Sequence, residues 1–345
     1  MSVSNDGDFI KGTDGVVMAR VPVNLSYFDL QEYGLERFNK MKDDQVVKEP
    51  TLLHVFLRTL EQHCALRTLT PSDMSSNIID VTGSPGSMYM YMKHFWNHDE
   101  NLMCFVDHVY PLQSPGIGDT ADNILVEDGA EIDLGMFTDW TFWGDGAFTQ
   151  FSITSANIDT DDEISLCMLG TATSAVNNGT QGAVAPMPGE KVRISKNAGK
   201  TWVFQIATTD ASGNITLRFN NPGTYYLSGG PKFKNYRNAA PPISVITVNG
   251  DKVNDGIVRV TFNSPGGTPV PAQDVQQFGR VVKPADHKRK GYIFAGWYTD
   301  AACKHRFDFK SGVSEDIILY AKWKKGYYKR ENQGRQSGEN QKFEC

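Results

Sequence analysis

Along this chain apolar residues alternate with polar ones far more often than they recur at helical spacing. Ala19, Val21, Val23 and Leu25 share one face of the stretch from Val17 to Leu25, the period-two pattern of a half-buried strand. The helical exception follows Pro50, where Leu52, Leu53, Phe56, Leu57 and Leu60 predict one amphipathic helix over 51–66. Beyond it, 87–92, 102–110 and 131–137 are rich in β-formers and predict strands. From 147 to 248 the pattern is nearly all β. There Ile215, Leu217 and Phe219 alternate with Thr216, Arg218 and Asn220 after an Asp210-Ala211-Ser212-Gly213 turn. A last alternating pair brackets the C-terminal region: Val258, Val260 and Phe262 on one strand, and Ile317, Leu319, Ala321 and Trp323 on another.

These elements predict a mainly β, α+β chain in several modules. At 345 residues it exceeds one ordinary core. The expected division is a flexible leader at 1–15, a β-grasp-like domain at 16–142, a β-sandwich at 147–248, a second β-grasp-like unit at 257–324 and a disordered polar tail at 325–345. A Trp/Gly-rich junction (141–146) and a short polar linker (249–256) join the modules.

Bulk chemistry narrows the functional classes. A net charge of −6 argues against nucleic acid as the main partner, since phosphate binding needs a concentrated basic surface. No window approaches ~18 consecutive apolar residues, so no membrane insertion is expected. The five cysteines, at 64, 104, 167, 303 and 345, lack the CxxC spacing of a zinc site and are too sparse for a disulfide scaffold. The start, MSVSNDGDFIKGTDG, has no basic stretch followed by an apolar run, so no export signal is expected within it; the end shows no LPxTG motif.

Three resemblances add a cellular context. Val260-Thr261-Phe262-Asn263, Gly266-Gly267, the run from Gly291 to Asp300, Phe307-Asp308-Phe309 and Leu319-Tyr320-Ala321-Lys322-Trp323 resemble the internalin B-repeat, also called the Listeria–Bacteroides repeat. That likeness implies a small β-grasp-like module of bacterial secreted and surface proteins. Thr208 to Leu217, Asn221 to Leu227 and Pro188 to Ile194 resemble the Cna protein B-type domain, a prealbumin-like stalk module. Members with an internal Lys–Asn isopeptide bond usually carry a catalytic glutamate after the tyrosines; here Ser228, Gly229 and Gly230 stand there, so that cross-link is not carried over. The region 49–140, through Leu102 to Tyr110, Gly116 to Asp119 and Val126 to Ile132, resembles a domain related to the C-terminal β domain of transcobalamin.

Candidate chemistry is sparse. His94 and His98 would share a helical face and chelate a metal, but the preceding alternation is that of a strand, where four residues span about 13 Å. A tight turn is the remaining way to bring them together. Asp159, Asp161 and Glu163 are dense enough for calcium, yet Ile164 stands where an EF-hand loop needs glycine, which favours a solvated acidic turn. His63 beside Cys64 lies late in the apolar helix, where a buried cysteine is the simpler account. No nucleophile-elbow, zincin, P-loop or dinucleotide motif is present.

The sequence therefore predicts no enzyme and no cofactor. It predicts a modular extracellular or cell-surface protein that displays a binding face to a protein or glycan ligand, with Trp140, Trp143 and Trp96 as candidate contacts. The alternative is a cobalamin-like small-molecule carrier, in which His94 or His108 of the N-terminal domain contacts a corrinoid.

Overall fold

The computed structural model describes residues 1–326 apart from 14, 41–44, 84–89, 99–100, 115–116, 178–181, 235, 237, 252–255 and 286. The chain is mostly strand with few helices. The polar tail from 327, the residues 87–89 of one expected strand, Asp99, Glu100, part of the 249–256 linker and Cys345 lie outside the described residues.

The N-terminal region is a mixed sheet in the order Asp8–Phe9, Ser2–Asn5, Ile132–Phe137, Asn101–Val106. Helix Leu52–Thr59, prolonged by a π turn over Leu60–Ala65, packs on it and occupies the 51–66 window its periodicity predicts. Residues 1–15 are not a flexible leader. Ser2–Asn5 pairs in parallel with Ile132–Phe137, and Val3 is completely buried in the core. Periodicity misses this strand because Val3 is flanked by Ser2 and Ser4, small side chains that are buried too.

The strand expected over Val17 to Leu25 does not form; only an isolated Lys11–Val17 bridge remains. Its alternation serves two cores instead of one sheet. Val17 and Ala19 pack toward Ile243 of the middle region, whereas Met18 and Val21 enter the N-terminal core. The 102–110 strand ends at Val106 in a two-residue turn, Asp107–His108, with φ of 48° and 64°. Positive φ at both central residues twists a hairpin in the sense its strands prefer.

The middle region has two sheets that share one core. One runs Ser155–Asp159, Ile243–Asn249, Gly223–Gly229, Lys191–Ser195, Val203–Thr208. The other centres on the long strand Glu163–Ala172, which pairs with Gly146–Phe151, Val184–Pro186 and Asn214–Arg218. Phe151, Leu166 and Met168 from one meet Val192, Ile194, Leu227 and Ile246 from the other.

The C-terminal region is a four-stranded sheet ordered Gln273–Gln276, Ile257–Asn263, Ile317–Lys325, Tyr292–Tyr298. Val258, Val260, Phe262, Leu319, Ala321 and Trp297 turn to one side and close its core, the period-two pattern realised in three dimensions.

The regions are packed together. Phe105 stacks on Phe148 at 3.9 Å, and Phe137 on Phe142 of the one-turn helix Phe142–Asp145 at 4.6 Å, joining the N-terminal and middle regions. In a separate contact Arg193, fully buried on the middle sheet, donates to Asp8 at 2.9 Å and lies 4.4 Å from the Trp202 ring. At the other end Phe278 enters the middle core.

Candidate functional site

The expected site residues fall at separate places. His94 sits on strand Tyr91–Phe95 opposite Asp80, and the strand then turns through Trp96 and Asn97, both at positive φ. His98, past the turn, lies with Nδ1 3.1 Å from the Asn5 side-chain amide. Asp161 and Glu163 are both answered by Arg218, at 3.1 and 2.8 Å, and Asp162 receives the Asp159 amide at 3.1 Å. That is a capped acidic turn with its own cation. Among the described residues no group of three or more His, Cys, Asp or Glu is placed to hold a metal ion.

The three candidate tryptophans differ in exposure. Trp96 is half-buried against the N-terminal core, and its indole N–H donates to the Lys11 carbonyl at 2.8 Å. Trp143 is half-buried beside Phe142, with ring centres 4.5 Å apart. Trp140 is 70% exposed and is the one of the three that presents a free indole face.

A cluster of ionisable side chains surrounds Glu131. The Asp107–His108 turn swings the imidazole back over Ile132–Phe137, leaving His108 Nε2 3.0 Å from Glu131 and Nδ1 3.7 Å from Asp133. Arg20 pairs with Glu131 from the other side, and the Thr154 hydroxyl of the middle region donates to the same carboxylate at 3.0 Å. The hydrogen bond to Glu131 raises the His108 pKa against the opposing effect of burial, with Asp133 adding to the rise. Burial pushes Glu131 up, but the His108 and Arg20 contacts outweigh it and hold the carboxyl near 2. Beside Asp133 the enclosed space is only about 10 Å³, room for a single water. The group can hold a proton and tie two regions together, and on its other side Arg20, Glu131 and Asp133 line an open recess of about 270 Å³ with Met1, Ser2 and Pro22.

Sequence reasoning named His108 only as a corrinoid contact and missed Glu131 and Asp133. Their signal was present: Glu131 and Asp133 alternate onto one face, and the positive-φ turn aims His108 at it. Buried Arg193 and its partner Asp8 were missed because Asp8 lay in the supposed leader.

A wider cleft of about 520 Å³ separates the middle and C-terminal regions, lined by Asp161, Arg218, Ile257, Gln277, Glu315 and Asp316 among others. Its floor is Gln277, 3% exposed, which accepts from the Asn220 amide at 2.9 Å and donates to the carbonyls of Arg218 and Ser314 at 2.8 Å each. All the polar capacity of that floor is spent on joining the regions.

Comparison with known proteins bears on the C-terminal region. Residues 259–322 match the family profile described as the Listeria-Bacteroides repeat domain. This segment is similar to such repeats. Over 73 residues the chain is 37% identical to a protein of Evansella cellulosilytica named "Putative membrane protein" and, over 73 residues, 36% identical to another of that organism named "Putative Gly-rich membrane protein". Each match spans 21% of this chain, and 11% and 8% of the respective relatives, so the chain covers only a small part of their length. Among the described residues no helix is long and apolar enough to cross a membrane.

Proposed function

We propose that the chain is a non-catalytic, modular bacterial protein of the cell surface or secreted fraction, which displays a binding face for a protein or glycan. The observation that carries this reading is the match at 259–322 to a repeat of a kind that occurs in surface proteins, together with relatives named as membrane proteins. The fold supports it. We read the middle region, with two sheets about one core, as a Cna B-type sandwich stalk, and the flanking mixed sheets as β-grasp-like modules. Packed aromatic junctions between modules suit a stiff projection, and Trp140 suits a contact on it.

The case against catalysis rests on chemistry. Cys64 is completely buried, and His63 is occupied by the Pro22 carbonyl. Fractionation of the producing bacterium, with antibody detection and protease treatment of intact cells, tests the reading. The protein is expected in the medium or on the surface, where external protease removes it; a protein confined to the cytoplasm and protected from protease overturns it.

A further inference from the structure

The net charge of −6 conceals a sharp segregation. Residues 257–326 carry twelve Lys and Arg against six Asp and Glu, a net of +6, whereas residues 1–256 carry eighteen against thirty-one, a net of −13. The basic excess of the repeat is not spread evenly. Strand Tyr292–Tyr298 runs antiparallel to Ile317–Lys325 with Tyr292 opposite Lys325 and Ile293 opposite Lys324. The tight turn into it carries Lys288, Arg289 and Lys290, and the Arg289 guanidinium lies 3.9 Å from the Tyr292 ring. Five cations thus meet at one corner of the sheet. Among the described residues none of the five belongs to an ion pair, although Arg20, Arg58, Arg67, Arg193, Arg218 and Arg259 all do.

The same corner exposes apolar surface. Ile293 is 64% exposed and Tyr292 38%, and farther along Ile317–Lys325, Ile318 is 48% exposed. Phe294 and Trp323 point into the core, so Ile293 and Lys324 project together from the opposite face. Lys322 continues that face, 4.8 Å from the Tyr298 ring. Unpaired cations beside an exposed isoleucine and a tyrosine form the combination that adsorbs to an anionic bilayer: the cations answer lipid phosphates while the apolar side chains enter the boundary between headgroups and acyl chains. A soluble polyanion would engage the cations but has no use for Ile293.

We propose that this corner of the repeat, Lys288, Arg289, Lys290, Tyr292, Ile293, Lys324 and Lys325, binds the surface of an anionic phospholipid membrane without crossing it. The acidic remainder of the chain is repelled by the same surface, so attraction and repulsion together orient the molecule with its repeat toward the lipid. The inference goes beyond surface display and does not rest on it. Vesicle binding and cellular location are measured separately, so either can fail while the other stands.

The test uses the full chain and sedimentation with vesicles of phosphatidylcholine alone or mixed with phosphatidylglycerol. Binding is expected only to the mixed vesicles, and it should weaken at least about tenfold as salt rises from about 50 to about 500 mM and the Debye length shortens. The double variant Lys324→Glu, Lys325→Glu is expected to lose binding at least tenfold while melting like the parent, because both side chains are exposed. Ile293→Ser is expected to weaken vesicle binding several-fold and leave heparin binding unchanged. The proposal is overturned if mixed vesicles are not bound, if charge reversal in the folded double variant leaves binding intact, or if Ile293→Ser has no effect while heparin or nucleic acid competes fully, which would make the partner a soluble polyanion.

Discussion

Phe278 of the repeat lies against Tyr225 of the middle region, their ring centres 6.1 Å apart at 67°. Phe219 completes the group at 5.7 Å from Phe278. The ring is held there by a left-handed backbone, φ 64°, which is costly for a bulky residue and persists only where its surroundings fix it. The middle core therefore borrows a side chain from the next module.

Phe278→Ala is expected to cost about 3–5 kcal/mol, the range for truncating a buried aromatic. The loss falls on the junction, so calorimetry should resolve two transitions where the parent shows one coupled event. A variant that melts as the parent does would show that the modules are energetically independent.

Trp297 tests the repeat's own core. It is 2% exposed, edge-on to Phe262 at 4.9 Å, and its strand neighbours place it with Leu319 and Ala321. Trp297→Ala should likewise cost about 3–5 kcal/mol, comparable to the whole stability of so small a module. Amide hydrogen exchange should then show the repeat opening while the N-terminal helix stays protected. Unchanged protection in the repeat would place the indole outside its core.

Much of the architecture was legible because a buried face leaves a period. The helix from Leu52 and the strands around Ile215, Val258 and Leu319 were all visible in that way. What periodicity could not show was contact between regions. Val17 and Ala19 alternate with Met18 because two cores pull on one extended segment, and a single-sheet reading of that alternation gives a strand that does not exist. Ser2–Asn5 carries almost no apolar signal because two of its buried residues, Ser2 and Ser4, are polar. For the candidate surfaces the loss was similar. Trp96 and Trp143 look alike in sequence to Trp140, and only packing tells which is exposed. The basic corner was hidden by averaging charge over the chain.

Gly12 measures how firmly the former leader is docked. A Cβ there would stand 1.8 Å from the His63 carbonyl oxygen and 2.9 Å from its carbon, atoms of backbone in the π turn that cannot step aside as a side chain can. Gly12→Ala should destabilise the N-terminal region by a few kcal/mol, of order 1–3 as for other overpacked sites. Circular dichroism melts decide it. A variant as stable as the parent would mean that residues 1–15 do detach.

The middle region is expected to contain no Lys–Asn cross-link. Ser228 is completely buried on strand Gly223–Gly229 and offers a hydroxyl, not the carboxyl that such a bond requires, and Gly229 and Gly230 offer no side chain at all. Intact mass should equal that of the sequence; a deficit of one ammonia would overturn the expectation.

Stability should depend on pH through His54, which is completely buried at the start of helix Leu52–Thr59. Its Nδ1 accepts the Thr51 backbone N–H at 3.1 Å, which leaves the proton on Nε2 to be donated to the Phe28 carbonyl at 3.1 Å. The Thr51 bond needs the neutral ring, whereas the Phe28 bond survives protonation. A second proton, on Nδ1, would abolish the cap and put a cation in the core. Burial lowers the His54 pKa from 6.5 to about 4, partly opposed by the Phe28 bond. Below pH 6.5 the unfolded chain therefore takes up a proton that the folded chain refuses. The stabilisation is complete above that pH and is lost as pH falls toward 4, to a total of order 3 kcal/mol. His108 has the opposite sign, since its raised pKa favours the folded state at low pH, so the comparison must isolate His54. Urea unfolding at about pH 7 and about pH 5 does so with His54→Gln, whose amide offers one acceptor and one donor and does not titrate. Relative to that variant, the parent should lose about 2 kcal/mol more between the two pH values. Equal losses in the two proteins would show that His54 is free to protonate in the fold.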